Sequence, residues 1–552
     1  MEGLEIVVVL LTAVLGLTWV ARRLRLSEPV CLLAGGVLIG LIPAFRSVRL
    51  PGDLVLLIFL PPLLYAESLT ISLHQIRANL RVIVLLSVGL VLATALTVAG
   101  TAHGLGMVWP MAFVLGAVLA PTDATAVAGV ARGMPRRTLT TMRAESLMND
   151  GTALVVFAVA VQIAVGRSAF AWGEATWRFA LSYVGGMAIG AAGALLAITL
   201  RRRIDDGEIE TGLSVLTPFA VYLPAEAAGV SGVLAVVMCG LIISRASPLL
   251  TRASSRLQTI AFWQVSTFLL NGSLFVLVGM QLPSAVLGLR SLGLGRALLL
   301  AAAVSAAVIL TRLLYLHSTP YLIRAVDRRP QQRARRVGAR QRMPVAWGGV
   351  RGAVSLAAAL AVPTYAADGS RLQGRDVIVF VTAAVIVVTL LFQGQTLPLV
   401  IRWSRLPEDP TEDSEEILAR QHVVESALDE LPGHAERLGA SQEVVDRLTE
   451  ELSERAERLR ADDEPADEAE HELRRALLAA KRTALVALRD ARRIDDAVLR
   501  RVQETLDREE LRLEARALAA RAAAQRRSRA AGGRDGGGDE EGDGDGRGRD
   551  DI

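Results

Sequence analysis

Two carboxylates, a serine and an asparagine stand close together in the stretch ESLMNDGTALVVF, residues 145–157, which otherwise reads as apolar helix. On a helix Ser146 and Asp150 are four apart and share one face. Glu145 and Asn149 form an adjacent stripe roughly 100° round. A charge placed in hydrocarbon costs several kcal/mol (about 2.5 or more), so ionisable groups there mark ion pathways, proton relays or buried pairs. Two neighbouring polar stripes therefore suit two different partners. Glu67, Asp123, Arg312 and Arg351 are the other ionisable residues found inside apolar runs.

Two further stretches have the composition to meet these stripes. LGAVLAPTDATAVAGV carries Pro121, Thr122 and Asp123 in its middle, and PVAWGGVRGAVSLAAAL carries Gly348, Gly349 and Gly352 around Arg351. Proline removes a helix donor and glycine loosens the backbone, so each stretch is a candidate broken helix. Depth agrees, since Asp150 follows Arg143, and Arg351 follows Pro344, by the same two helical turns, roughly 10 Å at 1.5 Å per residue.

The elements that hold these residues are membrane spans. Of the 552 residues 52% are apolar but only 5% aromatic, and the apolar ones lie almost entirely before Ile401, in runs long enough to match a bilayer core. Thirteen such segments can be read, the fifth covering Trp109 to Val130, the sixth Ala144 to Val165 and the twelfth Pro344 to Tyr365. With the seventh set aside, the interrupted fifth and twelfth are the fifth members of two six-helix halves, as an inverted repeat requires. Arginine is concentrated in the odd-numbered loops, most of all in RRPQQRARRVGARQR, and is sparse in the even-numbered ones. Basic loops face the cytoplasm, so an odd number of spans puts the N-terminus outside and the C-terminus inside. The N-terminus carries Glu2 and Glu5 in place of a basic leader region, which argues against a cleaved signal. Cys31 and Cys239 sit in separate apolar runs without the spacing of a metal site or disulfide framework. The net charge of +4 averages a basic membrane part with an acidic tail.

The fold expected is thus all-α and polytopic, with a transmembrane domain over residues 1–401. Residues 402–530 are charged, rich in Ala and Leu and helically spaced, and read as a cytoplasmic helical domain, either a solvated tail or a regulatory or dimer-stabilising one. Residues 531–552 are a Gly-rich acidic run with almost no apolar surface to bury.

At this point the chain resembles a known family. FLPPLLY in the third span, APTDATAV in the fifth, ESLMND in the sixth, AEAAGVSGVLA across the eighth and ninth and GGVRGAVSLA in the twelfth are similar to motifs of the monovalent cation/proton antiporters, of the sodium/proton type called NhaP and NHE. The likeness covers roughly residues 4 to 401, and RRIDDAVLRRVQETLDREE is similar to the tails of bacterial members. It implies that Asp150 binds either the cation or the proton. It implies too that Ser146 and the unwound backbone at Thr122 and Asp123 add oxygen ligands and that Asn149 completes the asparagine–aspartate motif. Glu145 and Arg351 then form a buried structural pair, and Glu67 lies near the place of a third-span acidic ligand. Sodium is a hard cation suited to the oxygens of Asp150, Ser146 and Thr122, with potassium or lithium as possible cargo.

The expected activity is secondary exchange of sodium for protons across the plasma membrane by alternating access, electroneutral at one to one because Asn149 does not titrate, with a role in pH homeostasis. A homodimer in the lipid bilayer is expected, with no nucleic acid, no cofactor and no enzymatic reaction. No G-x-x-x-x-G-K-[ST] loop is present to power transport. A potassium/proton antiporter on the same scaffold and a cation channel are the rivals. A channel would call for a continuous polar stripe or a filter loop. Plainer roles stand beside these: Asp123 as a helix cap, Glu226 as a loop or capping residue near the outer surface, and Arg312 neutralising a carboxylate or a carbonyl end.

Overall fold

Proline and glycine punctuate the chain into helices. The structure is a computed structural model that describes residues 3–24, 26–43, 52–71, 84–123, 127, 134–166, 172–204, 206–250, 253–289, 293–326, 338–406, 411–460 and 468–491, with scattered positions between 502 and 514. The described residues are helical and form no strand beyond one isolated bridge between Tyr365 and Arg371.

The first group of helices is α1 (Gly3–Leu24), α2 (Glu28–Leu41), α3 (Gly52–Thr70), α4 (Val91–Gly104, entered through a π-helical turn Leu85–Leu90), α5 (Trp109–Leu119) and α6 (Arg136–Ala164). Next come α7 (Trp172–Arg201), α8 (Gly207–Ala227), α9 (Gly232–Leu250), α10 (Ala253–Gly288) and α11 (Leu294–Val326). Two short helices, α12 (Ala339–Trp347) and α13 (Ala353–Ala361), precede α14 (Arg375–Val388), which continues through a π-helical turn Thr389–Gly394 into α15 (Gln395–Ser404). Local chemistry explains several starts. Asp206 accepts the N–H groups of Glu208 and Ile209 at 2.8 and 3.3 Å to cap α8. Pro29 and Pro110 sit in the first turns of α2 and α5, where a missing donor costs nothing.

Seven of these helices are long and apolar enough to cross a membrane, and four shorter apolar helices accompany them, so this is a multi-pass, all-helical protein. Each of the thirteen apolar segments read from the sequence overlaps described helix. The far end of the fifth segment and the start of the fourth lie outside the described residues.

The chain divides into two compact units, Met1–Asp409 and Pro410–Ile552. In the first, Gly36 and Gly40 of α2 meet Gly279 and Met280 of α10 backbone to backbone; a Cβ at any of the three glycines would overlap a main-chain carbonyl of the facing helix. Gly186 and Gly190 of α7 approach Ser231 and Ala235, before and on α9, in the same way. One apolar core gathers residues of α3 to α11, α13 and α14, and a second gathers residues of α1, α2, α3, α6, α10, α13, α14 and α15. Of the broken helices, α5 belongs to the first core and α13 to both.

In the second unit α16 (Thr411–Leu438) packs on α17 (Gln442–Arg460), and α18 (Glu468–Asp490) buries Leu478 and Leu485 against Leu506. Lys481 adds a surface ion pair to Glu509 at 2.9 Å. The Gly-rich run 531–552 lies outside the described residues.

Candidate functional site

The site begins where two helices fail to continue. α5 stops at Leu119, and although Ala120 keeps helical backbone angles, Pro121 has no N–H to donate and the helix goes no further. α12 stops at Trp347 before Gly348 and Gly349, and helix resumes only after Gly352. The two gaps meet, since the Asp123 N–H donates to the Val350 carbonyl at 2.7 Å. The Asp123 carboxylate lies against Gly352, where a Cβ would overlap it. That position is the N-terminus of α13, where a carboxylate is favoured by the helix dipole. Asp123 thus rests at a helix start and also lines the cavity described below.

α6 supplies the two stripes. Ser146 Oγ donates to the Thr122 carbonyl at 2.6 Å, and Asn149 Nδ2 reaches Thr122 Oγ1 and Glu145 Oε1, each at 3.4 Å. Asp150 is only 3% exposed, and among the described residues its Oδ1 has no hydrogen-bond partner. The same holds for Glu67 Oε1 on α3. Glu67, Asp123 and Asp150 repel one another across a cavity of about 600 Å³, whose wall also carries Thr122, Arg143 and Ser146. A stripe of α10 also lines it: Thr259, Trp263, Thr267 and Asn271, with Gln264 beside them.

The pairing of Glu145 differs from the expectation. Its hydrogen-bonded partner is Arg312 of α11, with NH1 at 2.6 Å from Oε1 and NH2 at 3.3 Å from Oε2, both residues 1% exposed. Arg312 also donates to the Val345 carbonyl, from Nε at 3.3 Å and NH2 at 3.1 Å, so it ties α6 to α12. Arg351, although within electrostatic reach of Glu145, spends its donors elsewhere. Its Nε bonds the Leu119 carbonyl at 3.0 Å, its NH1 the Gly349 carbonyl, and its own N–H the Thr389 hydroxyl at 3.3 Å. The physical reason is the breaks themselves: a helix that ends inside a bundle leaves carbonyls without donors, and a guanidinium on the gap has five to give.

Arg143 and the polar stripe of α10 are functional candidates that the sequence reading did not single out as site residues. Both have a visible signal. Arg143, Ser146 and Asp150 are spaced to share one face of α6, and the α10 residues recur every fourth position in an apolar helix. Glu226 accepts the Gly232 N–H at 3.0 Å, in the capping geometry of α9. Cys239 is buried in the apolar core and Cys31 half-buried. Among the described residues no three His, Cys, Asp or Glu side chains close into a metal cage. What the cavity offers is oxygen from a carboxylate, a hydroxyl and a backbone at a helix break, which could dress a small hard cation together with water.

The family profile described as "Sodium/hydrogen exchanger, transmembrane" matches residues 9–403, well over half of the chain. The chain belongs to that family. Members are secondary transporters and not enzymes, so this is a membrane cation/proton antiporter. An uncharacterized Na(+)/H(+) exchanger of Mycobacterium tuberculosis is 47% identical over 521 residues, which is 93% of this chain and 96% of that protein. A sodium, potassium, lithium and rubidium/H(+) antiporter of Bacillus subtilis is 30% identical over 419 residues, covering 72% of this chain and 61% of its own length. Among solved structures, the sodium proton antiporter MjNhaP1 of Methanocaldococcus jannaschii superposes with a TM-score of 0.58 at 18% identity, over 73% of this chain and 99% of that one, a likeness of fold alone.

Proposed function

We propose that the protein exchanges one sodium ion for one proton across the plasma membrane, with Asp150 as the carboxylate that takes either. The observation that supports this reading is the buried Asp150 carboxylate, whose Oδ1 lacks a hydrogen-bond partner among the described residues and which faces a cavity beside Ser146, Thr122 and Asp123. An unpartnered anion is strongly disfavoured in a protein interior, so the group is poised to be neutralised by a proton or a cation. Ser146, the Thr122 backbone, Asn149 and Glu67 complete the ligand set in this proposal. The expected pair Glu145–Arg351 becomes Glu145–Arg312, which commits Glu145 to a structural contact and leaves it out of the exchange.

Alternating access follows from the same elements. Thr70 ends α3, and Arg143 and Thr259 stand near the starts of α6 and α10, beside arginine-rich loops. If those loops are cytoplasmic, with the N-terminus outside and the C-terminus inside, the cavity is the inward-facing half of the cycle. Thirteen spans in two inverted halves, a homodimer in the bilayer and a cytoplasmic domain over residues 402–530 belong to the same proposal.

Asp150→Asn keeps the shape of the site and removes its titratable charge. Sodium-driven proton flux in proteoliposomes should vanish while the protein still purifies folded; near-normal exchange by the folded variant removes Asp150 from the mechanism. Stoichiometry is read by imposing a potassium diffusion potential with valinomycin and sodium as cargo. A flux indifferent to the potential supports one-to-one exchange, and a flux that follows its sign assigns a second moving charge, for which Glu67 is the nearest candidate. The second reading, potassium/proton exchange, is favoured by the name of the Bacillus relative. Replacing sodium by potassium in the same vesicles separates the two.

A further inference from the structure

Of the three arginines that the described residues bring to the site, Arg143 alone has no hydrogen-bonded partner among them. Arg312 is committed to Glu145 and Val345, and Arg351 to Leu119 and Gly349. Arg143 makes no hydrogen bond or ion pair with any described residue, is half-buried and lines the cavity. It shares the α6 face with Ser146 and Asp150, two turns before the latter. Across the cavity stands Glu67, with its own unpartnered Oε1, close enough to Arg143 for the two charges to act on each other. Among the described lining residues Arg143 is the sole cation, facing three carboxylates.

We propose that Arg143 is a built-in competitor of the transported cation, a tethered positive charge that occupies the field of Glu67 at the mouth of the cavity and so weakens cation binding at Asp150. The geometry is that of an ion pair held open. Helices α3 and α6 place the two groups on facing walls, free to close when the cavity is empty and forced apart when a cation sits between them. A cation that enters must displace the guanidinium from Glu67 before it reaches Asp150, which sets a high half-saturating concentration on the side where the cavity opens. Arg143 is thus a specificity-determining residue for the exchange, acting through charge and without contacting the cargo.

The inference rests on the exchange reading above, and the test separates the two. Sodium-dependent proton flux is titrated with sodium in proteoliposomes of the full chain for the parent, Arg143→Gln, Arg143→Met and Arg143→Lys, with thermal unfolding as a check on each. A parent without exchange defeats the functional reading itself. With exchange present, Gln and Met should each lower the half-saturating sodium concentration by about three- to tenfold, the range expected for one charge removed from a partly solvated site, with the maximal rate little changed. Lys should stay near the parent. An unchanged half-saturation in both neutral variants overturns the proposal, as does a Lys variant that behaves like Gln, because either result means that the charge does not compete.

Discussion

Glycine serves opposite ends at two helix crossings of this molecule. Where α2 meets α10, Gly36, Gly40 and Gly279 let main chain touch main chain. Where the broken ends of α5 and α12–α13 meet, Gly349 and Gly352 make room for side chains: Arg312 and Arg351 over the first, the Asp123 carboxylate over the second. The first crossing is a weld between two straight helices, which gains from close packing alone. The second keeps charge in the interior of a membrane protein and supports it with helix ends, carbonyls and one buried ion pair. Stiffness and chemistry are thus placed in different parts of the same unit.

If that division holds, the most damaging substitution is in the chemical crossing, and it is not the one that the motif suggests. Arg312→Ala leaves Glu145 buried without its partner, a loss of about 3 to 5 kcal/mol. Arg351→Ala deprives two carbonyls of their donor, about 1 to 3 kcal/mol. The apparent melting temperature in detergent should therefore fall further for Arg312→Ala than for Arg351→Ala, and the reverse order would restore Arg351 as the partner of Glu145.

A smaller effect sharpens the contrast between the glycines. In Gly279→Ala the new methyl meets the Leu33 carbonyl and the Gly36 and Val37 backbone, which cannot swing away, so about 1 to 3 kcal/mol of stability should be lost. In Gly352→Ala the obstacle is the Asp123 side chain, which can turn. Here stability should change less while exchange falls. Thermal unfolding and sodium-driven flux, measured on both variants, should give opposite rankings; parallel losses would erase the distinction between weld and site.

The smallest effect belongs to a region that neither crosses nor carries charge inward, the exposed turn at residues 366–370. The Ser370 hydroxyl and N–H, at 2.6 and 2.9 Å, hold the Asp368 carboxyl below its usual range. A depressed carboxylate contributes stability above its unfolded pKa of about 3.9 and loses it as pH falls through the folded value. The protection of the Gly369 and Ser370 amides, relative to their intrinsic exchange rates at each pH, should fall only in that acid window, with no change in the amides of α6; protection unaltered at low pH would show that the turn is held by the bond from the Ala367 N–H to the Val165 carbonyl at 3.0 Å instead.

Much of the membrane unit is legible in the chain, because hydrophobic runs and their interruptions are local signals. Pro121 and the triplet of glycines around Arg351 mark both breaks, and helical periodicity alone puts Ser146 and Asp150 on one face. The partner of Glu145 is not local. Arg312 lies in the middle of a long apolar helix, 167 residues away, and neither Thr311 beside it nor Pro320 two turns on says which way it points. Arg351 sits in the conspicuous motif and attracts the assignment, yet the carbonyls at the breaks claim it first. The π-helical turn at Thr389–Gly394 is equally silent in sequence, although it turns Thr389 and Gln393 toward the α12 break, where they bond Arg351 N–H and the Trp347 carbonyl.

One hydrogen bond of the site settles the polarity of its wall. A hydroxyl has a single proton, and Ser146 spends it on the Thr122 carbonyl at 2.6 Å. To every other neighbour Ser146 can therefore offer only lone pairs. Asn149 does likewise, turning its amide hydrogens toward Thr122 and Glu145 and keeping Oδ1 as an acceptor, next to the acceptor Oδ1 of Asp150. From these two side chains a visitor with electrons to share, such as chloride, is offered no hydrogen, whereas one that lacks electrons meets oxygen on both. Where one serine proton points thus adds to the bias that the three carboxylates already give the cavity, before size comes into play.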